Sequence, residues 1–308
     1  NVGSYGAIPN DANDDRQAIQ NTIQAAINSG SAAKVSFATG EYKLSNKLSI
    51  SGANYGLMLK GVTGTLFTMT NRDYGVTYID QSKNVSLENI TVDYSPLPFT
   101  QGTISSTGTG YSVMDIDSGY PQIDDGWIGA GIGVPQNGTG ALLRDPNNPG
   151  RIKLNSPTNF NITSWSKISA GRFQINGLTN SSVGDRATFW RRHMDYALSI
   201  GNCPDGHVLL RNINLYSAPT MACSGGNTEK VFLRGCNFAI KPSTNRMQGP
   251  NGDGAHVASC KNGPEIVSCL FEGLVDDAVN LYGPPYSVQA KYADNHFAVY
   301  TNGKMLNV

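Results

Sequence analysis

Charge is scarce in this chain of 308 residues: charged side chains make up 15%, and 23 basic residues balance 23 acidic ones. No basic stretch tracks a phosphate backbone, so a nucleic-acid partner has no electrostatic footprint. No run of about 18 or more apolar residues occurs, so no membrane-spanning helix is expected. Cysteine is limited to five residues (203, 223, 236, 260, 269), an odd number with no CxxC. A disulfide-stapled small scaffold is therefore not expected. Neither an initiator methionine nor a signal peptide accompanies Asn1, so a processed or trimmed chain is expected. His193, His207 and His296 have no metal-ligand spacing, and no Ser-His-Asp order or phosphate-binding loop occurs. No cofactor and no metal are expected.

Lys and Glu, both strong helix formers, are sparse, whereas Gly reaches 35 residues. That is the composition of a turn-rich β protein. One helix is expected near the start, where Asp14 and Asp15 sit at a favourable N-terminus. Ile19, Ile23 and Ile27 then form a narrow apolar stripe, and Gly30 can end the helix. Five N-x-S/T sequons, at Asn84, Asn89, Asn137, Asn161 and Asn180, permit glycosylation.

The most informative feature is an imperfect repeat. "VSLENITVDYS" (85–95), "VLLRNINLYSA" (208–218), "VFLRGCNFAI" (231–240) and "EIVSCLFEG" (265–273) share alternating apolar residues around a small or polar corner. The step from Val208 to Val231 is 23 residues, which suits one coil of a parallel β-helix whose stacked coils supply the core. In that register Cys236 and Cys269 form one inward ladder, and Cys203, Cys223 and Cys260 a second. Buried thiols used as small hydrophobes explain both; disulfides between rungs or a metal site are the alternatives. Between 96 and 192 the strands alternate without a coil-length period, which points to an inserted antiparallel β-domain. The expected organisation is a cap and first coils (1–95), the insert (96–192), further coils (193–285) and the start of another β segment (286–308).

"NGDGAH" and "VDDAVN" place Asp253, Asp276 and Asp277 among small and apolar residues. Taken singly, each fits turn or cap chemistry. With a coil of 23 residues, Asp253 and Asp276 stack on neighbouring rungs beside Asp277. Stacked like charges favour the protonated form of one member, as a general acid requires. Strand parity turns Val279 and Leu281 inward and Asp276, Ala278 and Asn280 outward. A calcium site is the rival reading, since calcium takes six to eight oxygens. His256 and Asn251 are candidates for substrate contact together with Asn280. Trp190, Arg191 and Arg192, at the return from the insert, read first as packing.

On these residues the chain resembles a known family. "YGAIPNDANDDRQAIQNTIQAA" looks like the N-terminal cap of pectate-lyase-like β-helix proteins. "NGDGAH…VDDAVN" is similar to the aspartate motifs of inverting β-helix glycoside hydrolases, and most of all to the α-1,3-galactosidases of glycoside hydrolase family 110. That family carries a β-barrel inserted in a right-handed parallel β-helix and a second barrel after the paired aspartates. The resemblance implies an all-β fold with an N-terminal capping helix and a barrel-like insert. It also implies a secreted or periplasmic inverting exo-α-galactosidase acting on terminal α-1,3-linked galactose of an oligo- or polysaccharide. Asp276 would be the acid, with Asp253 and Asp277 holding the attacking water. Gly-His-Gly and a later Arg-x-Lys are missing, which argues against polygalacturonan. Another β-helix hydrolase of α-glucan or polygalacturonan, or a non-catalytic glycan-binding module, remains the alternative.

Two further expectations follow. Asp276 lies about 3.3 Å along the strand from Asp277, which favours the wide carboxyl spacing of inverting enzymes. The exposed edge of a last coil pairs readily, so a continuation chain or a homo-oligomer is expected.

Overall fold

The computed structural model describes residues 1–126, 139–156, 162–192, 195–283, 287–301 and 304–306. His193 and the sequons at Asn137 and Asn161 lie outside them.

Three columns of parallel strands build the body. The first runs through Ala33–Ser36, Leu57–Lys60, 85–88, 208–211, 231–234 and Glu265–Val267. The second holds Gly40–Leu44, Thr65–Met69, 90–94, 213–215, Asn237–Phe238 and Leu270–Phe271. The third holds Leu48–Ser51, Thr77–Asp80, 198–201, 223–226, Ala255–Ala258 and Val279–Tyr282. Each coil visits the columns in turn, giving six coils of a parallel β-helix and an all-β fold, as expected. Inward residues such as Leu59, Leu87, Leu210 and Leu233 are fully or almost fully buried and form one continuous core.

The corners explain the small and polar residues of the repeat. Asn89, Asn212, Gly235 and Ser268 all take positive φ between the first two columns, and Gln81, Asn202, Asn227 and Ser259 do so after the third. Asn tolerates this left-handed conformation better than most residues. The side chains also stack: Asn212 Nδ2 donates to Asn89 Oδ1 at 2.9 Å, and Asn227 Nδ2 to Asn202 Oδ1 at 3.2 Å.

The helix Arg16–Asn28 covers the first coil with Ile19 and Ile23, both fully buried. It ends at Ser29, with Gly30 at φ +66°. Asp14 accepts from the Arg16 amide, whereas Asp15 ties the amides of Ile8 and Lys43 together.

Phe99–Gly108, Tyr111–Ile116, Thr139–Arg144, Ser164–Ser169, Arg172–Asn176 and Arg186–Arg191 form a separate six-stranded antiparallel sheet between the third coil's second and third columns. It curls around a core of its own that includes Ile104, Met114, Leu143, Trp165, Phe173 and Phe189. Its outermost strands, Thr139–Arg144 and Ser164–Ser169, do not pair with each other among the described residues, so the sheet is barrel-like and open. Ser287–Ala293, His296–Thr301 and Lys304–Leu306 make a third, antiparallel sheet.

Two expectations need correction. Cys203 aligns with Thr228, and by extension with Cys260, while Cys223 heads another column beside Leu198 and Ala255. The Cys236–Cys269 rung stands, and all five thiols are free. Burial pushes the Cys236 thiol up to about 12 and raises that of Cys223 further, so these are packing residues and poor nucleophiles. Val279 and Leu281 do share the inward columns of Ala255 and Val257, yet they are 38% and 53% exposed. No strand stacks on that coil among the described residues.

Candidate active site

The loop that leaves the second column of the fifth coil carries Asp253, and the corresponding loop of the sixth coil carries Asp276 and Asp277. Backbone bonds hold the two loops together: the Gly254 amide donates to the Asp277 carbonyl at 2.9 Å, and the Ala255 amide to the Ala278 carbonyl at 3.1 Å. Gly254 is required there, because a Cβ would lie 2.3 Å from the Phe271 ring and 2.6 Å from the Ala278 oxygen. Ala255 pairs with Val279, so the local coil step is 24 residues. This corrects the expected step of 23: the rung neighbour of Asp253 is Asp277, and Asp276 precedes it by one position.

The three aspartates nevertheless converge, each offering one oxygen within 4.8 Å of the others. Asp253 is buried (2% exposed), whereas Asp276 and Asp277 face solvent. That proximity concerns one oxygen of each carboxylate and does not by itself set the separation of the carboxyl groups.

Two of the carboxylates, those of Asp253 and Asp276, have fixed companions. Asp253 Oδ2 lies 2.6 Å from His256 Nδ1, and His256 Nε2 lies 3.0 Å from the Tyr282 hydroxyl. Arg192 Nη2 donates to Asp276 Oδ2 at 2.6 Å, and its Nε donates to the Asn251 carbonyl at 2.8 Å. The Asp277 amide donates to Asp276 Oδ1 at 3.1 Å. Val275 is buried with Phe99, Leu142 and Trp190, which anchors the residue before Asp276 to the inserted sheet.

His256 and Asn280 stand opposite each other on adjacent coils, and both project outward beside the cluster. Asn251 does not. It is fully buried, its Nδ2 donates to the Pro98 carbonyl (2.8 Å) and the Arg191 carbonyl (3.3 Å), and its Oδ1 accepts from Gln248. It ties the two ends of the insert to the aspartate loop, which replaces the expected substrate contact. Trp190 is fully buried, in keeping with packing. Arg192 and Tyr282 are the site members that sequence reasoning missed. Tyr282 continues the outward parity of Ala278 and Asn280 and was readable on that ground. Arg192 carried no local signal, since its partner lies 84 positions away.

The donor set fits a divalent cation poorly. Each of the three carboxylates offers one oxygen to a common point, fewer than the six to eight that calcium takes without further ligands, and a guanidinium already pairs with Asp276. Dialysis against EDTA is therefore expected to leave activity and thermal midpoint unchanged. A loss that calcium alone restores would assign the cluster to a cation. A cleft of about 680 Å³ lies elsewhere, between the inserted sheet and the second column, and none of the three aspartates lines it.

No family model matches the chain. It is 22% identical over 229 residues to an alpha-1,3-galactosidase A of Streptomyces avermitilis, covering 68% of this chain and 37% of that protein. It is 24% identical over 251 residues to an alpha-1,3-galactosidase B of Bacteroides thetaiotaomicron, covering 71% and 37%. Among solved structures, the A-module of a mannuronan C-5 epimerase of Azotobacter vinelandii aligns with a TM-score of 0.39 at 13% identity, covering 90% of this chain and 58% of that one. The chain spans little more than a third of the length of these two curated relatives. Over about two thirds of its own length it is similar to proteins named alpha-1,3-galactosidase.

Proposed function

We propose that the chain carries the active site of a glycoside hydrolase that removes terminal α-1,3-linked galactose from glycans, with inversion at the anomeric carbon. The observation that carries the hydrolase reading is the convergence of Asp253, Asp276 and Asp277 within 4.8 Å on adjacent coils; inversion rests instead on the division of roles, one acid and a pair that holds the water. Similarity to the named alpha-1,3-galactosidases supports the choice of substrate. A protein that works on such glycans is expected outside the cytoplasm, secreted or periplasmic.

Glycoside hydrolysis needs one carboxylic acid to protonate the leaving oxygen and one carboxylate to activate water. Asp276, one of the two exposed members, donates the proton. Its Oδ2 accepts from Arg192, and the glycosidic oxygen takes the place of that guanidinium. Asp253 and Asp277 are rung neighbours and hold one water between them. His256, braced by Tyr282, fixes which Asp253 oxygen faces that water, and Asn280 meets a sugar hydroxyl beside it. No cofactor takes part.

A panel of α-linked nitrophenyl glycosides and a B-type trisaccharide tests the substrate, with galactosides expected to be cleaved in preference. Proton NMR of the anomeric signal tests the stereochemistry, with the β-sugar expected first. Early release of the α-anomer would make one aspartate a nucleophile and overturn the assignment of roles.

A further inference from the structure

The cleft that the three aspartates do not line is built as a binding site. At about 680 Å³ it lies within the roughly 300–1,000 Å³ of small-molecule sites. Its walls come from three parts of the chain: Glu41 and Asp93 on the second column, Tyr120 and Asp125 from the inserted sheet, and Lys241 and Arg246 from the loop that goes on to Asp253. Asp93, 5% exposed, fixes the cationic wall, accepting from Lys241 at 2.9 Å and from both terminal nitrogens of Arg246 at 2.7 and 2.9 Å. Tyr120 is fixed as well. Its hydroxyl donates to Asn245 Oδ1 at 2.8 Å, and its ring packs against Phe99 with centroids 6.4 Å apart. Gln101 of the insert holds the same loop, donating to the Asn245 carbonyl and accepting from the Met247 amide.

We propose that this cleft is a second saccharide subsite, which takes neutral sugar residues of the glycan remote from the bond that is cut. It rests on the carbohydrate reading above. Three carboxylates against two cations leave a formal charge of −1, which disfavours a phosphate or a polyanion. Fixed charged groups beside a held tyrosine ring suit a ligand dense in hydroxyls with apolar C–H faces. The cleft is lined in part by loops that leave the second column, such as 95–97 and 241–246, and the aspartates stand on loops of the same kind. Its helix walls belong to the first three coils and the aspartates to the fifth and sixth. At about 4.8 Å per coil the separation is roughly 10–24 Å, within reach of a glycan of a few residues. The loop 241–253 contributes to both places.

Amide hydrogen exchange on the Asp276→Asn protein tests the subsite without relying on turnover. The probes are a galactose-terminated neutral tetrasaccharide and methyl α-galactoside. The tetrasaccharide is expected to protect 119–125 and 241–246 as well as 251–256 and 276–282, whereas methyl α-galactoside protects only the latter pair. Tyr120→Ala is expected to weaken tetrasaccharide binding about ten-fold, close to the upper end of one aromatic contact, and to leave methyl α-galactoside unaffected. Protection at the cleft alone upholds the subsite and sinks the placement of the active site at the aspartates. Protection at the aspartates alone, or at neither place, overturns the subsite. So does an equal loss of both ligands in Tyr120→Ala.

Discussion

Asp276→Asn is expected to lower hydrolysis of a natural disaccharide by about 10²–10⁴-fold, the range that general acid catalysis supplies. A nitrophenyl glycoside leaves with little need for a proton, so its rate should fall far less. The fold should survive. Asp276 is 37% exposed at its side chain, and its contacts are one ion pair with Arg192 and one bond from the Asp277 amide. Exposed pairs contribute roughly 0–1 kcal/mol, so the thermal midpoint should barely move. Asp253→Asn should instead cost both substrates alike, because activating water is needed whichever group leaves. Steady-state rates on the two substrates decide between these patterns. Equal losses on both in Asp276→Asn would remove Asp276 from the acid role and leave it as the anchor of Arg192.

How much of this was legible in the sequence depended on range. The coil register could be read because stacked strands repeat the same inward positions, so that 85–88, 208–211 and 231–234 align as the sequence suggested. Corners read as small or polar because the backbone there enters the left-handed region at Asn89, Asn212 and Gly235. The errors came where loops change length. Between the third and sixth coils the third column steps by 25, 32 and 24 residues (198 to 223, 223 to 255, 255 to 279). A fixed step therefore misplaced Cys223 and matched Asp253 to Asp276. Asn251 looked like a ligand contact because it neighbours Asp253. Its buried bonds to Pro98 and Arg191 depend on where the insert begins and ends, which local pattern does not encode.

Asp93→Asn is expected to destabilise the protein by about 3–5 kcal/mol at pH 7, the cost of breaking a buried ion pair by removing one partner. The variant keeps the shape of the side chain and leaves Lys241 and Arg246 facing a neutral amide. At about 2–4 °C per kcal/mol, the thermal midpoint should fall by roughly 6–20 °C. The effect should depend on pH in a defined direction. Burial works to raise the Asp93 pKa, but the Arg246 and Lys241 bonds and the Tyr94 amide outweigh it, so the folded-state value lies below the usual carboxylate range. A group with a depressed folded pKa contributes stability that is fully present above its unfolded pKa of about 3.9 and is lost as pH falls through the folded value. Calorimetry of the two proteins should therefore show a constant gap from pH 7 down to about 5. Below about 4 the gap should close, because protonated Asp93 then resembles the amide. A gap that widens on acidification, or no gap at pH 7, would mean that Asp93 does not hold the loop 241–246 to the third coil. The aspartate loop would then take its position from Asn251 and the inserted sheet alone.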